Sequence, residues 1–205
     1  MPQFDFNNPH VAPNRYFDRH FEREAVKILP GEYYATTNDT LIVTVLGSCV
    51  SVCLRDPVAG VSGMNHFLLP NEGGGNDVLS ESARYGVYAM DILINHMLKL
   101  GASRYRMEAK VFGGGNVLKG FTSTSVGERN SEFVLDYLKT ENIPILAKDL
   151  LDIYPRKVYF FPDTGQVLVR KIKSLHNTTI MDRESAYRMQ LRNSQASGDV
   201  ELFDE

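Results

Sequence analysis

The chain has 205 residues, 43% of them hydrophobic and 23% charged, with a formal net charge of −3. This is ordinary globular composition, long enough to bury a core without disulfides, and it excludes collagen-like, coiled-coil and wholly disordered chains. The small negative charge supplies no basic field for nucleic acid or acidic lipid, and five histidines with two cysteines are little material for a soft-metal site, so no nucleic-acid partner, no metal and no cofactor are expected.

Residues 1–28 mix Asn, Pro, Arg, His and aromatics without a sustained period and predict a partly ordered N-terminal arm. Its first residues lack the basic and apolar regions of a secretory signal, and two cysteines four apart make no disulfide framework, so a cytoplasmic, reducing compartment is expected. Leu41–Leu46 is apolar and β-branched, a buried strand; Gly47-Ser48 interrupts it, and Cys49–Arg55 alternates with Val50, Val52 and Leu54 on one face. The apolar stretch from Leu41 to Leu54 is broken by Thr44, Gly47, Ser48 and Ser51 and falls short of the roughly 18 residues a membrane span needs. Asp56–Gly60 is a turn, Val61–Leu69 a returning strand closed by Pro70, and Glu72–Asp77 a flexible loop. Ser80 opens a helix whose Tyr85, Tyr88, Ala89, Ile92, Leu93, Met97 and Leu100 form one stripe, stopped by Gly101.

Tyr105–Phe112 is a strand leading into Gly113-Gly114-Gly115-Asn116, and a second helix over 127–142 faces Phe133, Val134, Tyr137 and Leu138 inward. Pro144–Leu150 is a strand, and Lys157–Phe161 with Gln166–Ile172 reads as a hairpin around Pro162–Gly165. From residue 174 the chain is polar, with a helical piece over Met181–Arg192 and an acidic end; that helix could dock on the domain, on a partner or on nothing. The expected organisation is an arm over 1–28, a domain over 29–173 and an extension over 174–205. The expected class is α+β, a mixed and largely antiparallel sheet with hairpins packed against two main helices.

Cys49 and His66 lie on the two arms of the predicted hairpin. If its loop occupies 56–59, Arg55 pairs with Gly60 and Cys49 falls directly opposite His66, with Cβ atoms about 5 Å apart on one face. A thiol and an imidazole so placed can form a thiolate–imidazolium pair, the usual way a cysteine becomes a nucleophile near neutral pH. Gly47-Ser48 before the cysteine allows close approach of a substrate, with backbone N–H groups available as an oxyanion hole. Thr44 and Asn65 are candidates to orient the imidazole. The bland alternative is a small buried hydrophobe beside a hydrogen-bonded core histidine. Cys53, about 13 Å along the same strand, reads as packing.

Leu46-Gly-Ser-Cys-Val-Ser-Val-Cys-Leu-Arg-Asp-Pro57, Gly63-Met-Asn-His-Phe-Leu-Leu-Pro70, Lys110-Val-Phe-Gly-Gly-Gly-Asn116, Gly127-Glu-Arg-Asn130 and Arg156-Lys-Val-Tyr-Phe-Phe-Pro-Asp-Thr-Gly165 stand in one order. Together they resemble the chemoreceptor glutamine deamidase family, CheD, over about residues 31–173. The resemblance implies a fold related in type to cysteine-hydrolase deamidase domains. It also implies hydrolysis of glutamine side chains to glutamate on methyl-accepting chemotaxis proteins, by a protein-glutamine glutaminase with a cysteine nucleophile. The family's cysteine and histidine map onto Cys49 and His66. Its third member, a threonine six positions before the cysteine, would fall on Val43, whereas the threonine present here is Thr44. The resemblance further implies a CheC-type phosphatase as a partner.

The alternatives to this enzyme are a non-catalytic chemotaxis adaptor that binds receptor or the CheC phosphatase, and a cysteine peptidase or transglutaminase. Gly113-Gly114-Gly115 lacks the lysine and hydroxyl residue of a phosphate loop, and reads as a turn or as a surface that lets a receptor helix approach. His96 reads as structural, and His10, His20 and His176 have no partner in view.

Overall fold

The computed structural model describes residues 11–70, 78–116, 126–172 and 179–195. In chain order the described strands are β1 (Asn14–Asp18), β2 (Arg23–Lys27), β3 (Tyr33–Thr36), β4 (Leu41–Leu46), β5 (Val50–Asp56), β6 (Val61–Asn65), β7 (Glu108–Gly113), β8 (Ile145–Leu150), β9 (Arg156–Phe161) and β10 (Gln166–Lys171). The helices are α1 (Val78–Lys99), α2 (Val126–Thr140) and α3 (Thr179–Gln195). The strands form two five-stranded sheets, ordered β1-β2-β4-β9-β10 and β3-β6-β5-β7-β8. Pairing is antiparallel except for β2 with β4 and β7 with β8. This is an α+β fold with mixed sheets.

Side-chain alternation sorts the chain into layers. Val50, Val52, Leu54 and Phe67 turn one face of the second sheet onto Met90, Leu93, Ile94 and Met97 of α1 and Val134 and Leu138 of α2. The opposite face carries Cys49, Cys53, Met64 and Leu68 against Ile42, Leu46, Val158 and Phe160 of the first sheet. The outer face of the first sheet is covered locally, by Phe21 over Leu41, Val43 and Phe161. The candidate site lies between the two sheets, at the end of that middle layer.

Several elements depart from expectation. The stretch read as an arm contains β1 and β2 in its described part, and β2 pairs in parallel with β4, Val26 beside Ile42. Such pairing is non-local, and a five-residue strand with two buried positions leaves almost no period to read. The α1 stripe is centred on Met90, Leu93, Ile94 and Met97, and Tyr88 is exposed. Residues 104–106 form a 3-10 turn before β7. The Glu72–Asp77 loop, His10, His176 and the acidic end lie outside the described residues. No described helix is long and apolar enough to cross a membrane.

The hairpin register also differs. Asp56 pairs with Val61, so the turn is Pro57–Gly60. Its cause is the Asp56 side chain, whose Oδ1 accepts the N–H groups of Val58 and Ala59, each at 3.0 Å, and starts the turn from position 56. The register is displaced by two residues, an even number, so every side chain keeps its face. Val50 and Phe67 exchange both backbone hydrogen bonds at 3.0 Å. Cys49 is thereby a diagonal neighbour of His66 on the inter-sheet face, where direct opposition had been expected.

Candidate active site

Gly47, Ser48 and Cys49 form the turn between β4 and β5, and their backbone is fixed from one side. Gly115 N–H donates to the carbonyl of Gly47 at 2.8 Å, Gly114 N–H to that of Cys49 at 2.8 Å, and Asn130 Nδ2 to that of Ser48 at 2.8 Å. Asn130, fully buried on α2, also accepts the Leu69 N–H at 2.9 Å through Oδ1, tying the turn to the segment after His66. With three carbonyls held on one side, the three N–H groups converge on the other, a concave array of donors suited to an oxyanion. The three glycines therefore support the cysteine turn; they are not an approach surface. A Cβ at Gly113 would collide with the Cys49 carbonyl, and one at Gly127 with the Gly114 carbonyl. Arg156, fully buried, steadies the neighbouring loop through Asp149 at 3.1 Å, the Tyr154 carbonyl at 3.2 Å and the Leu151 carbonyl.

Cys49, His66 and Thr44 are all buried between the sheets. Thr44 Oγ1 donates to the Ile28 carbonyl at 2.8 Å, which uses its single proton, and so accepts from His66 Nδ1 at 2.8 Å. That bond places the imidazole proton on Nδ1 and leaves a lone pair on Nε2, which is buried and has no hydrogen-bond partner among the described residues. Alternation along β4 turns Thr44 inward with Ile42 and Leu46, and Val43 outward onto Phe161. Of the two positions, Thr44 is the one that reaches the imidazole. Asn65 does not: its Oδ1 accepts Val52 N–H at 2.9 Å and its Nδ2 donates to the Ala89 carbonyl at 3.1 Å, linking β5 to α1.

The donor array is occupied. Glu184 of α3 places Oε1 2.8 Å from Gly47 N and 3.2 Å from Cys49 N, and Oε2 3.1 Å from Ser48 N and 2.7 Å from Ser48 Oγ. Arg188, one turn on, donates to Ser48 Oγ at 2.7 Å. Burial alone would raise the Glu184 carboxyl, but the donors from Ser48 and Cys49 outweigh it and hold the group below its ordinary value, as a carboxylate. Burial first, and then this carboxylate, push the Cys49 thiol well above its ordinary value. Burial lowers His66 to about 4, against the opposing pull of Glu184. Both shifts favour a thiol and a neutral imidazole over a thiolate–imidazolium pair while Glu184 is in place.

Asn130 ends the Gly127–Asn130 motif, but its clamp on Ser48 and Leu69 exists only through three-dimensional contacts. Glu184 and Arg188 carried no signal beyond helical spacing in a polar tail. Cys53 is buried against Met64 and Leu68, and His96 packs edge-on against Tyr33.

Comparison with known proteins agrees with the motif order. A family described as CheD chemotactic sensory transduction matches residues 68–171. A Shewanella oneidensis protein named "Probable chemoreceptor glutamine deamidase CheD 1" is 69% identical over 194 residues, covering 94% of this chain and 94% of its own length. A Dechloromonas aromatica protein of the same name is 61% identical over 194 residues, 95% of this chain and 96% of its own. One from Methylobacillus flagellatus, "Probable chemoreceptor glutamine deamidase CheD", is 59% identical over 195 residues, 94% of this chain and 96% of its own. Matches of this identity over nearly the whole length place the chain in the CheD family.

Proposed function

We propose that this protein is a cytoplasmic protein-glutamine glutaminase that converts particular glutamine side chains of methyl-accepting chemotaxis receptors to glutamate. The observation that carries the reading is the convergence of three backbone donors on the cysteine turn, beside an imidazole whose Nδ1 proton is held by Thr44. It is supported by the names that the relatives carry.

Each residue then has a task. The substrate amide oxygen sits against the N–H groups of Gly47, Ser48 and Cys49. Cys49 Sγ attacks the amide carbon while His66 Nε2 takes the thiol proton, so the nucleophile is made by general-base transfer and needs no standing ion pair. Charge developing on oxygen meets donors already fixed by Gly114, Gly115 and Asn130. His66 returns its proton to the departing ammonia, leaving a thioester. It then takes a proton from water, which attacks the thioester and releases glutamate and the thiol.

A receptor cytoplasmic fragment incubated with the protein is expected to release ammonia and to show glutamine-to-glutamate mass changes at discrete sites. A fragment that binds but stays unchanged would favour the adaptor instead. Amine incorporation or main-chain cleavage in place of side-chain amide hydrolysis would favour the transglutaminase or peptidase.

Thr44→Val removes the acceptor of Nδ1 while keeping side-chain volume. It is expected to lower kcat roughly 10- to 100-fold, a part of what general acid–base catalysis supplies, because the imidazole can then shift its proton or turn. Thr44→Ser restores the acceptor and should recover most of the rate in steady-state assays of ammonia release. Equal losses in both variants would remove Thr44 from the mechanism.

A further inference from the structure

The three donors that the reaction needs are filled by the chain itself, and the nucleophile beneath them is fully buried. A thiol without exposure cannot meet a side chain on another protein, so the cover must move before turnover. Among the elements around the site, α3 has the slightest hold. Of its described side chains only Glu184 and Leu191 are buried, with Ile180, Tyr187 and Arg188 half-buried and the rest exposed. Tyr187 lies over Gly31 and meets the Tyr85 hydroxyl on α1, which brings the helix across the mouth between the sheets.

The chemistry of the contact is specific. Glu184 is a glutamate, the product side chain of glutamine hydrolysis, and its carboxylate takes the N–H groups of Gly47, Ser48 and Cys49 together, the donors assigned above to the substrate amide oxygen. An ordinary packing contact would need none of these donors. A glutamate on a helix, held by the oxyanion donors beside the thiol, has the form of an enzyme–product complex closed within one chain.

We propose that α3 is a built-in, product-like cover of the active site, in which Glu184 stands where the reacting side chain of a receptor goes, so that substrate must displace α3 to be deamidated. This rests on the deamidase reading of the site. The tether keeps the glutamate at high effective concentration without tight contacts, so a substrate segment need compete only with a weakly packed helix.

The test uses the full chain with Glu184→Ala and Arg188→Ala. Its first readout is the rate at which iodoacetamide alkylates each cysteine, resolved by peptide mass spectrometry. Cys53, buried in the same middle layer, reports general loosening. Glu184→Ala is expected to raise Cys49 alkylation at least tenfold with Cys53 still protected, and Arg188→Ala to raise it less. An unchanged Cys49 rate, or parallel rises at both cysteines, would overturn the cover. The second readout is ammonia release from a receptor fragment, which Glu184→Ala should increase. A loss of that activity on a wild type that has it would make Glu184 part of the machinery and overturn the proposal. Faster alkylation with no deamidation by either protein would uphold the cover and reject the deamidase.

A third variant, Glu184→Gln, tests the position of the side chain. It puts an amide against the donors, and Cys49 should displace ammonia from it and water should then restore the acid, so the introduced amide is converted in the intact chain. It should persist when combined with Cys49→Ala. Persistence in the variant that keeps Cys49 would overturn the assignment of that position to the reacting side chain.

Discussion

Cys49→Ala and His66→Gln are each expected to abolish ammonia release from a receptor fragment while leaving the fold in place. Removing one buried sulfur from the middle layer leaves a small cavity, costing about 1 kcal/mol, well inside the 5–15 kcal/mol by which domains are usually stable. The adjacent Ser48 hydroxyl is no substitute for the thiol, since a hydroxyl without a base to activate it is a far weaker nucleophile than a thiol. Without a thioester the path reverts to direct attack of water on an amide. His66→Gln keeps a donor that can reach Thr44 Oγ1 and removes the base, so kcat should fall by about 10³-fold or more, within the range of general acid–base catalysis. Because the two residues act on one proton, the double variant should be scarcely worse than either single one. Urea unfolding beside the kinetics separates chemistry from folding. A measurable fraction of wild-type turnover in folded Cys49→Ala would remove the nucleophile assignment.

How much of this was legible in the chain varies with the range of the interaction. β4 is read to the residue because Leu41–Leu46 is apolar, β-branched and bounded by Gly47. The inward residues of α2, from Phe133 to Leu138, follow from helical spacing. The Cys49–His66 relation survived a mistaken turn position because the displacement was even, and faces depend only on parity. β1 and β2 were missed because their support comes from β4 and the sheet, through parallel pairing that leaves no local signature. Asn65 and Thr44 could not be separated as partners of the imidazole, since the choice depends on which sheet each side chain faces. Glu184 was the least visible: an acid in a polar helix reads as solvated until the turn that receives it, more than 130 positions away in sequence, is in place.

Gly113→Ala is expected to lower both stability and activity severely. Gly113 has φ +116°, a conformation that L residues rarely adopt, and it ends β7 opposite Val50. A Cβ there meets the Cys49 carbonyl and comes within 3.0 Å of Val50 Cα, both backbone atoms that no side-chain rotation relieves. Gly101 supplies the control: its φ is +100°, and a Cβ on it has nothing within 4 Å. Gly101→Ala therefore isolates backbone strain and should cost about 1–2 kcal/mol, with kcat unchanged. Gly113→Ala adds the collision and is expected to cost at least about 3 kcal/mol. It must also push the cysteine turn off Gly114 and Gly115, whose N–H groups hold the Cys49 and Gly47 carbonyls and so aim the opposing donors at the substrate oxygen. A shift of that turn misdirects the donors, and losing one such donor costs about 10²- to 10³-fold in kcat. Paired urea titrations and ammonia-release assays on the two variants measure both quantities. Equal destabilisation in the two, with activity retained at Gly113→Ala, would show that the close approach of Gly113 to Cys49 does not hold the donor array.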